Sequence, residues 1–132
     1  DASAICVFEL SDGIVFTYRG SWCAEGLNTS WESDWRVVGT RGTAVWDGHD
    51  GIRATAVKKS GDFMSELKEL KVPVLAKKDR VGGHAGLIDE FLYSVHKGVT
   101  PETICTDNIK SLAMVFGAIE SAQKGQQVAI EV

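Results

Sequence analysis

Cysteine, clustered positive charge and long apolar runs are all scarce in this sequence, and each scarcity removes a class of protein. Three cysteines, Cys6, Cys23 and Cys105, are odd in number and widely separated along the 132-residue chain. They have neither metal-site spacing nor the density of a disulfide framework, so a reducing, cytoplasmic setting is expected. Fourteen basic residues face eighteen acidic ones, for a net charge of −4, and no run of Lys or Arg stands out. Nucleic acid and anionic membrane surfaces are therefore not expected as partners. No apolar run approaches the roughly 20 residues that cross a bilayer, and no stretch has the pattern of a secretory leader. Internal repeats and low-complexity linkers are missing too.

What is present is an ordinary globular mix, 44% hydrophobic and 24% charged. The length suits one domain spanning residues 1–132, large enough for a core but short for two domains. The chain opens "DASAICVFEL", without methionine and almost directly into a strand-like run. A piece of a longer protein is the expectation.

The first half reads as strands joined by tight turns. "SAICVFEL" and "IVFTYRGSW" flank Asp12-Gly13, a hairpin signal because both turn positions need φ > 0. "WRVVG" and "TAVW" meet through Thr40-Arg41-Gly42, and "TAVW" and "IRATAV" through "DGHDG". Connections this short make the joined strands antiparallel neighbours. In the second strand Ile14, Phe16, Tyr18 and Gly20 share one face, and Val15, Thr17, Arg19 and Ser21 the other. "ELKELKVPVLA" reads as an edge strand or a bend, because Pro73 cannot donate to a ladder.

The second half changes period. Leu87, Ile88, Phe91, Leu92 and Val95 form one stripe of a helix over residues 84–97, stopped by Gly98. A second helix over residues 107–124 aligns Ile109, Leu112, Phe116 and Ile119, with Thr106 or Asp107 as its cap and Gly125 as its end. "QVAIEV" is expected to close the sheet as a last strand. Strands first and helices later predict an α+β fold: a mainly antiparallel open sheet with helices packed on one face, the other face left for oligomerisation.

The chemistry-bearing motifs are modest. "VGGHAGLIDEF" opens a helix with glycines but lacks the G-x-G-x-x-G fingerprint and its βαβ unit, so no nucleotide site is assigned. His49 sits in a turn whose Asp and Gly residues turn chemistry already explains. His96 lies in a last helical turn, where the dipole favours a cation. His84, in a first turn, is free to cap locally or to face a ligand. Serine–histidine–aspartate and cysteine–histidine sets lack a nucleophile elbow.

"YRGSWCAEGLNTSWESDW", residues 18–35, holds three of the four tryptophans. Trp35 begins a strand and is expected in the core. Trp22 and Trp31 lie among Arg19, Glu25 and Asn28, a setting that fits a cleft wall for a polyhydroxylated ligand as well as it fits packing.

The run "YRGSWCAEGLNTSWESDWRVVGTRGTAVWDG", followed by "GGHAGLIDEFLYSVHKGVTPETICTDNIKSLAMVFGAIESAQKGQQVAI", resembles the C-terminal domain of the Gfo/Idh/MocA oxidoreductases over residues 4–130. These are relatives of glucose–fructose oxidoreductase and inositol 2-dehydrogenase. The resemblance implies a partner Rossmann domain binding NAD or NADP, and a C-terminal domain that roofs the substrate and makes subunit contacts. It implies hydride transfer to or from a sugar- or cyclitol-like alcohol, assisted by a lysine in a Glu-Lys-Pro motif and by an Asp and a His on an early helix. This sequence contains no Glu-Lys-Pro and no dinucleotide fingerprint. No catalytic, cofactor-binding or metal-binding residue is therefore assigned to it, and alone it is expected to be inert. Tyr18, Arg19, Trp22, Trp31 and His84 are the candidate substrate-facing residues. Expected partners are the chain's own Rossmann domain, a second copy in a homodimer or higher assembly, and a small polyhydroxylated substrate. A free-standing, sheet-mediated binding or dimerisation module is the alternative. A small hydrolase using His84 or His49 has the least support.

Overall fold

The computed structural model describes residues 2–49, 51–61, 63–73 and 82–132. They divide into two compact units, one of residues 3–20 and 82–132, the other of residues 2, 21–49, 51–61 and 63–73.

In the first unit, β1 (Ser3–Glu9) and β2 (Val15–Ser21) pair through a short 3-10 turn, Ser11–Gly13. Asp12 and Gly13 both take positive φ, 62° and 71°, as this turn requires. The Leu10 N–H donates to the Ile14 carbonyl at 2.8 Å and closes the hairpin. Cys6, Phe8, Phe16 and Gly20 are its more covered positions, and the Phe8 and Phe16 rings stack with centroids 5.9 Å apart.

The unit also holds α1 (Gly83–Lys97) and α2 (Cys105–Lys124). Both end on a left-handed glycine, Gly98 at φ 65° and Gly125 at φ 64°, the stop that their sequence announces. Their starts differ from expectation. α2 begins two residues before Asp107, so Thr106 and Asp107 fall inside its first turn and Ile104 occupies the cap without a side-chain bond. Asp107 instead pairs with Lys110 at 2.8 Å, and its charge near the helix start suits the dipole. The expected closing strand is not formed. Residues 127–132 belong to no strand or helix, and Ile130 lies against Gly117 of α2. The missing side chain at Gly117 makes that approach possible.

The second unit is built on a four-stranded antiparallel sheet in the order β3 (Trp35–Gly39), β4 (Gly42–Trp46), β5 (Ile52–Lys59), β6 (Glu66–Leu70). Two residues, Thr40 and Arg41, join β3 to β4, with Gly39 opposite Gly42. β6 stops three residues before Pro73 and takes the edge. The remainder of "KVPVLA", residues 74–76, lies outside the described residues. The strands thus form two antiparallel sheets, not one. The α+β class holds, while the single open sheet is replaced, because the long loop after β2 interrupts the meander that the short turns sustain elsewhere.

Register sorts the second sheet into two unlike faces, since residues paired across strands point the same way. One face carries Trp35, Trp46 and Ile52 in a row, then Val37, Ala44, Ala54 and Leu70. The other carries Arg36, Val45 and Arg53, then Val38, Thr43, Thr55 and Glu69. The first face is mainly apolar, with Lys68 opposite Ala56 toward one end, and the second is mixed.

Among the described residues no large apolar side chain is fully buried; Gly48, Ser94 and Gly117 are the buried positions. Trp35, expected in a core, is 46% exposed. The helical stripe of Leu87, Ile88, Phe91, Leu92 and Val95 is likewise open to solvent over at least half of each residue.

The contact of Gly117 with Ile130 yields a stability test. A Cβ at Gly117 would lie 2.7 Å from Ile130 Cγ1 and 2.8 Å from Cδ1. Gly→Ala inside a helix otherwise stabilises by about 1 kcal/mol. In thermal melts, Gly117→Ala should show that gain in an Ile130→Ala background and less of it beside native Ile130. Equal gains in both backgrounds would contradict the contact.

Candidate functional site

The loop between β2 and β3 is tied down from its own sequence. At its start the Trp22 N–H donates to the Ala2 carbonyl at 2.8 Å, and the Cys23 N–H to Ser21 Oγ at 3.3 Å. At its end Ser30 serves twice, its Oγ accepting from the Glu32 N–H at 3.1 Å and its carbonyl from the Ser33 N–H at 3.1 Å. Such side-chain-to-backbone bonds are the turn chemistry of serine. Ser33 sits at φ 64°, a conformation that costs a non-glycine residue about 1–2 kcal/mol. The Trp35 indole N–H donates to the Glu32 carbonyl at 2.7 Å, so Trp35 binds the loop to the sheet even though it is not buried.

Two rings stand out from this framework. Trp22 and Trp31 meet with centroids 5.6 Å apart and planes tilted by 60°, a favoured aromatic arrangement stabilised by about 0.5–1.5 kcal/mol beyond area burial. They contact each other yet stay 79% and 88% exposed. Two indoles that open to water present a concentrated apolar surface. Surface of that kind, beside the polar side chains of the same loop, is suited to stacking on a ligand that has both apolar faces and hydroxyls.

The other candidates lie in the hairpin-and-helix unit. Tyr18 and Arg19 are consecutive in β2 and so project to opposite faces of the strand. The Tyr18 ring lies over Gly20, where a Cβ would collide with the phenol. His84 is the second residue of α1. Of the five candidates, Trp22 and Trp31 are the two that the structure brings into contact.

Three features escaped the sequence reading. Gly48, in the β4–β5 turn, packs against Ser30 and Ser33. Arg36 and Arg53 flank Val45 in one row and, with Trp35 and Trp46, help line a concavity of about 320 Å³. The pairing of Arg36 with Val45 and of Val45 with Arg53 was recoverable from the short turns, which fix the register. Along α1 a groove of about 400 Å³ runs between Leu87, Ile88, Phe91 and Pro101, near the point where Glu90 accepts the Glu102 N–H.

His49 behaves as a turn residue: its N–H donates to Asp47 Oδ1 at 3.0 Å and its carbonyl accepts the Trp46 indole N–H. Asp50 lies outside the described residues. Among the described residues no group of His, Cys, Asp and Glu is arranged to hold a metal ion, and no helix is long and apolar enough to cross a membrane. Cys6, Cys23 and Cys105 remain thiols.

Residues 1–130 match the family described as "Oxidoreductase family, C-terminal alpha/beta domain". A curated relative, the "Uncharacterized protein y4oX" of Sinorhizobium fredii (strain NBRC 101917 / NGR234), is 31% identical over 140 residues, covering 99% of this chain and 36% of that protein. The chain thus spans little more than a third of the length of the relative it matches. No solved structure matches the chain.

The exposure of the tryptophan pair is directly measurable. A variant retaining only Trp22 and Trp31 should be quenched by acrylamide more steeply than one retaining only Trp35 and Trp46. Equal quenching would place the pair inside the fold.

Proposed function

The chain belongs to the Gfo/Idh/MocA oxidoreductase family, as its C-terminal alpha/beta domain, and from that premise we propose that it roofs the substrate and makes subunit contacts in a longer NAD(P)-dependent enzyme. The substrate in this reading is a sugar- or cyclitol-like alcohol that gains or loses a hydride at a carbon bearing a hydroxyl. The observation that carries the substrate class is the exposed Trp22–Trp31 pair in a polar loop. Apolar faces of a sugar ring stack on indole, while fixed polar groups read its hydroxyls.

NAD or NADP, held by a separate Rossmann domain of the longer protein, supplies the hydride chemistry when bound. The residues of this chain contribute binding, orientation and exclusion of water. Trp22 and Trp31 form the stacking wall, and Tyr18, Arg19 and His84 are further substrate-facing candidates. Because Tyr18 and Arg19 project to opposite sides of β2, one of them at most faces any single ligand.

A second copy is the other proposed partner, meeting this one through the β3–β6 sheet in a homodimer or larger assembly. Contiguous apolar surface such as the Trp35–Trp46–Ile52 row and its neighbours is seldom left in water by a soluble monomer. The setting of the whole protein is proposed to be cytoplasmic, in keeping with three scattered thiols.

In the longer enzyme, Trp22→Ala and Trp31→Ala should each raise KM for a polyol roughly 2- to 10-fold, as loss of one stacking contact implies. kcat should change little, because such a wall binds ground state and transition state alike. Unchanged KM in both variants would remove the stacking role. This chain alone, mixed with NAD(P)⁺ and a panel of polyols, should give no turnover. Finding no nucleotide-binding domain in the longer reading frame would favour a free-standing binding module instead.

A further inference from the structure

We propose that Gly48 is a positioning residue: the β4–β5 turn is a seat on which the tryptophan loop rests, and its missing side chain sets where Trp31 stands against Trp22. The relevance of this seat to ligand binding rests on the stacking role proposed above, whereas the seat itself stands on geometry alone.

A positive φ already accounts for a glycine in a turn. Gly48 has that φ, 78°, but so do Gly13, Gly26, Gly83, Gly98 and Gly125. Around each of those five a Cβ would meet nothing within 4 Å. At Gly48 it would lie 2.6 Å from the Ser33 carbonyl oxygen, 2.9 Å from Ser30 Cβ, and in collision with Ser30 Oγ. Gly48 is also one of the few buried residues, although it sits in a turn, where backbone normally meets water. Backbone conformation alone therefore does not explain this glycine; close packing of another segment does.

The segment that packs there brackets Trp31. Ser30 precedes it and Ser33 follows two residues later, and the two are joined by the Ser33 N–H to Ser30 carbonyl bond of 3.1 Å. The left-handed Ser33, at φ 64°, is the kind of backbone that persists where its surroundings impose it. A compact, tied turn pressed onto a rigid hairpin moves as a block. Trp22 is anchored independently, by its N–H on the Ala2 carbonyl at 2.8 Å. One ring is thus fixed by the backbone at the loop's start and the other by the seat. Their 5.6 Å separation and 60° tilt depend on both anchors. Bulk at the seat should lift the Ser30–Ser33 turn and carry Trp31 away from Trp22. Gly48 itself touches no ligand in this arrangement.

The test reads the ring pair directly. Two close indoles give an exciton couplet in far-ultraviolet circular dichroism, and Trp31→Phe supplies the signal without it. Gly48→Ala adds bulk from the turn side and Ser30→Val from the loop side. Gly13→Ala is the control, with the same backbone strain in open space. Gly48→Ala and Ser30→Val should each lose most of the couplet and weaken binding of myo-inositol on the order of tenfold, while Gly13→Ala keeps both. A couplet intact in Gly48→Ala and Ser30→Val overturns the seat. If Gly48→Ala fails to fold, Ser30→Val decides by comparison with Ser30→Ala, which loses the same Oγ acceptor of the Glu32 N–H without the added bulk and should keep the couplet; a couplet lost equally in both overturns the seat. A couplet lost with myo-inositol binding unchanged upholds the seat and removes the stacking role.

Discussion

The cross-strand hydrogen-bond ladder of β3–β6 is the constraint from which the rest of the second unit follows. Its register is set by short turns: Gly39 stands opposite Gly42 and Trp46 opposite Ile52, which leaves little freedom to slide. A slip of one residue would exchange the faces, bringing Arg36 and Arg53 to the side now held by Trp35 and Ile52. Register therefore decides that one face is mainly apolar and the other mixed. It also decides where the β4–β5 turn stands, and with it the surface available to the tryptophan loop.

That loop is ordered by many small, local bonds rather than by a core. Ser30, Glu32, Ser33 and Trp35 knit its end through hydrogen bonds of 2.7–3.1 Å. Each contributes about 1 kcal/mol net. The tilted Trp22–Trp31 contact adds a comparable amount. None of this requires either indole to leave the water, so the pair stays open while its geometry is held. This combination, an apolar surface kept exposed on a fixed frame, is what a recognition wall needs.

Much of the local structure was legible because it is written in residue type. Asp12-Gly13 announced a turn with two positive φ values, and Gly98 and Gly125 announced helix ends, since few other residues tolerate those conformations. The features that escaped depend on residues distant in sequence. Nothing near Gln127 shows that Ile130 will meet Gly117 instead of a strand, and nothing near Asp47 shows that Ser30 will rest on Gly48. Trp35 looked like core by its size, yet its indole N–H serves the loop, a use that an amphipathic ring permits. In the candidate site the tryptophans were visible from composition, and the parts that hold them were not.

The mainly apolar face of the β3–β6 sheet and, separately, the half-open stripes of the two helices are each proposed to be completed by further protein rather than by a core of their own. Large exposed apolar patches mark contact surfaces in soluble proteins. The most direct measurement is sedimentation velocity of this chain across a wide concentration range. A dimer or larger assembly, growing with concentration, is the predicted result. A species that stays monomeric at the highest concentration would contradict the claim.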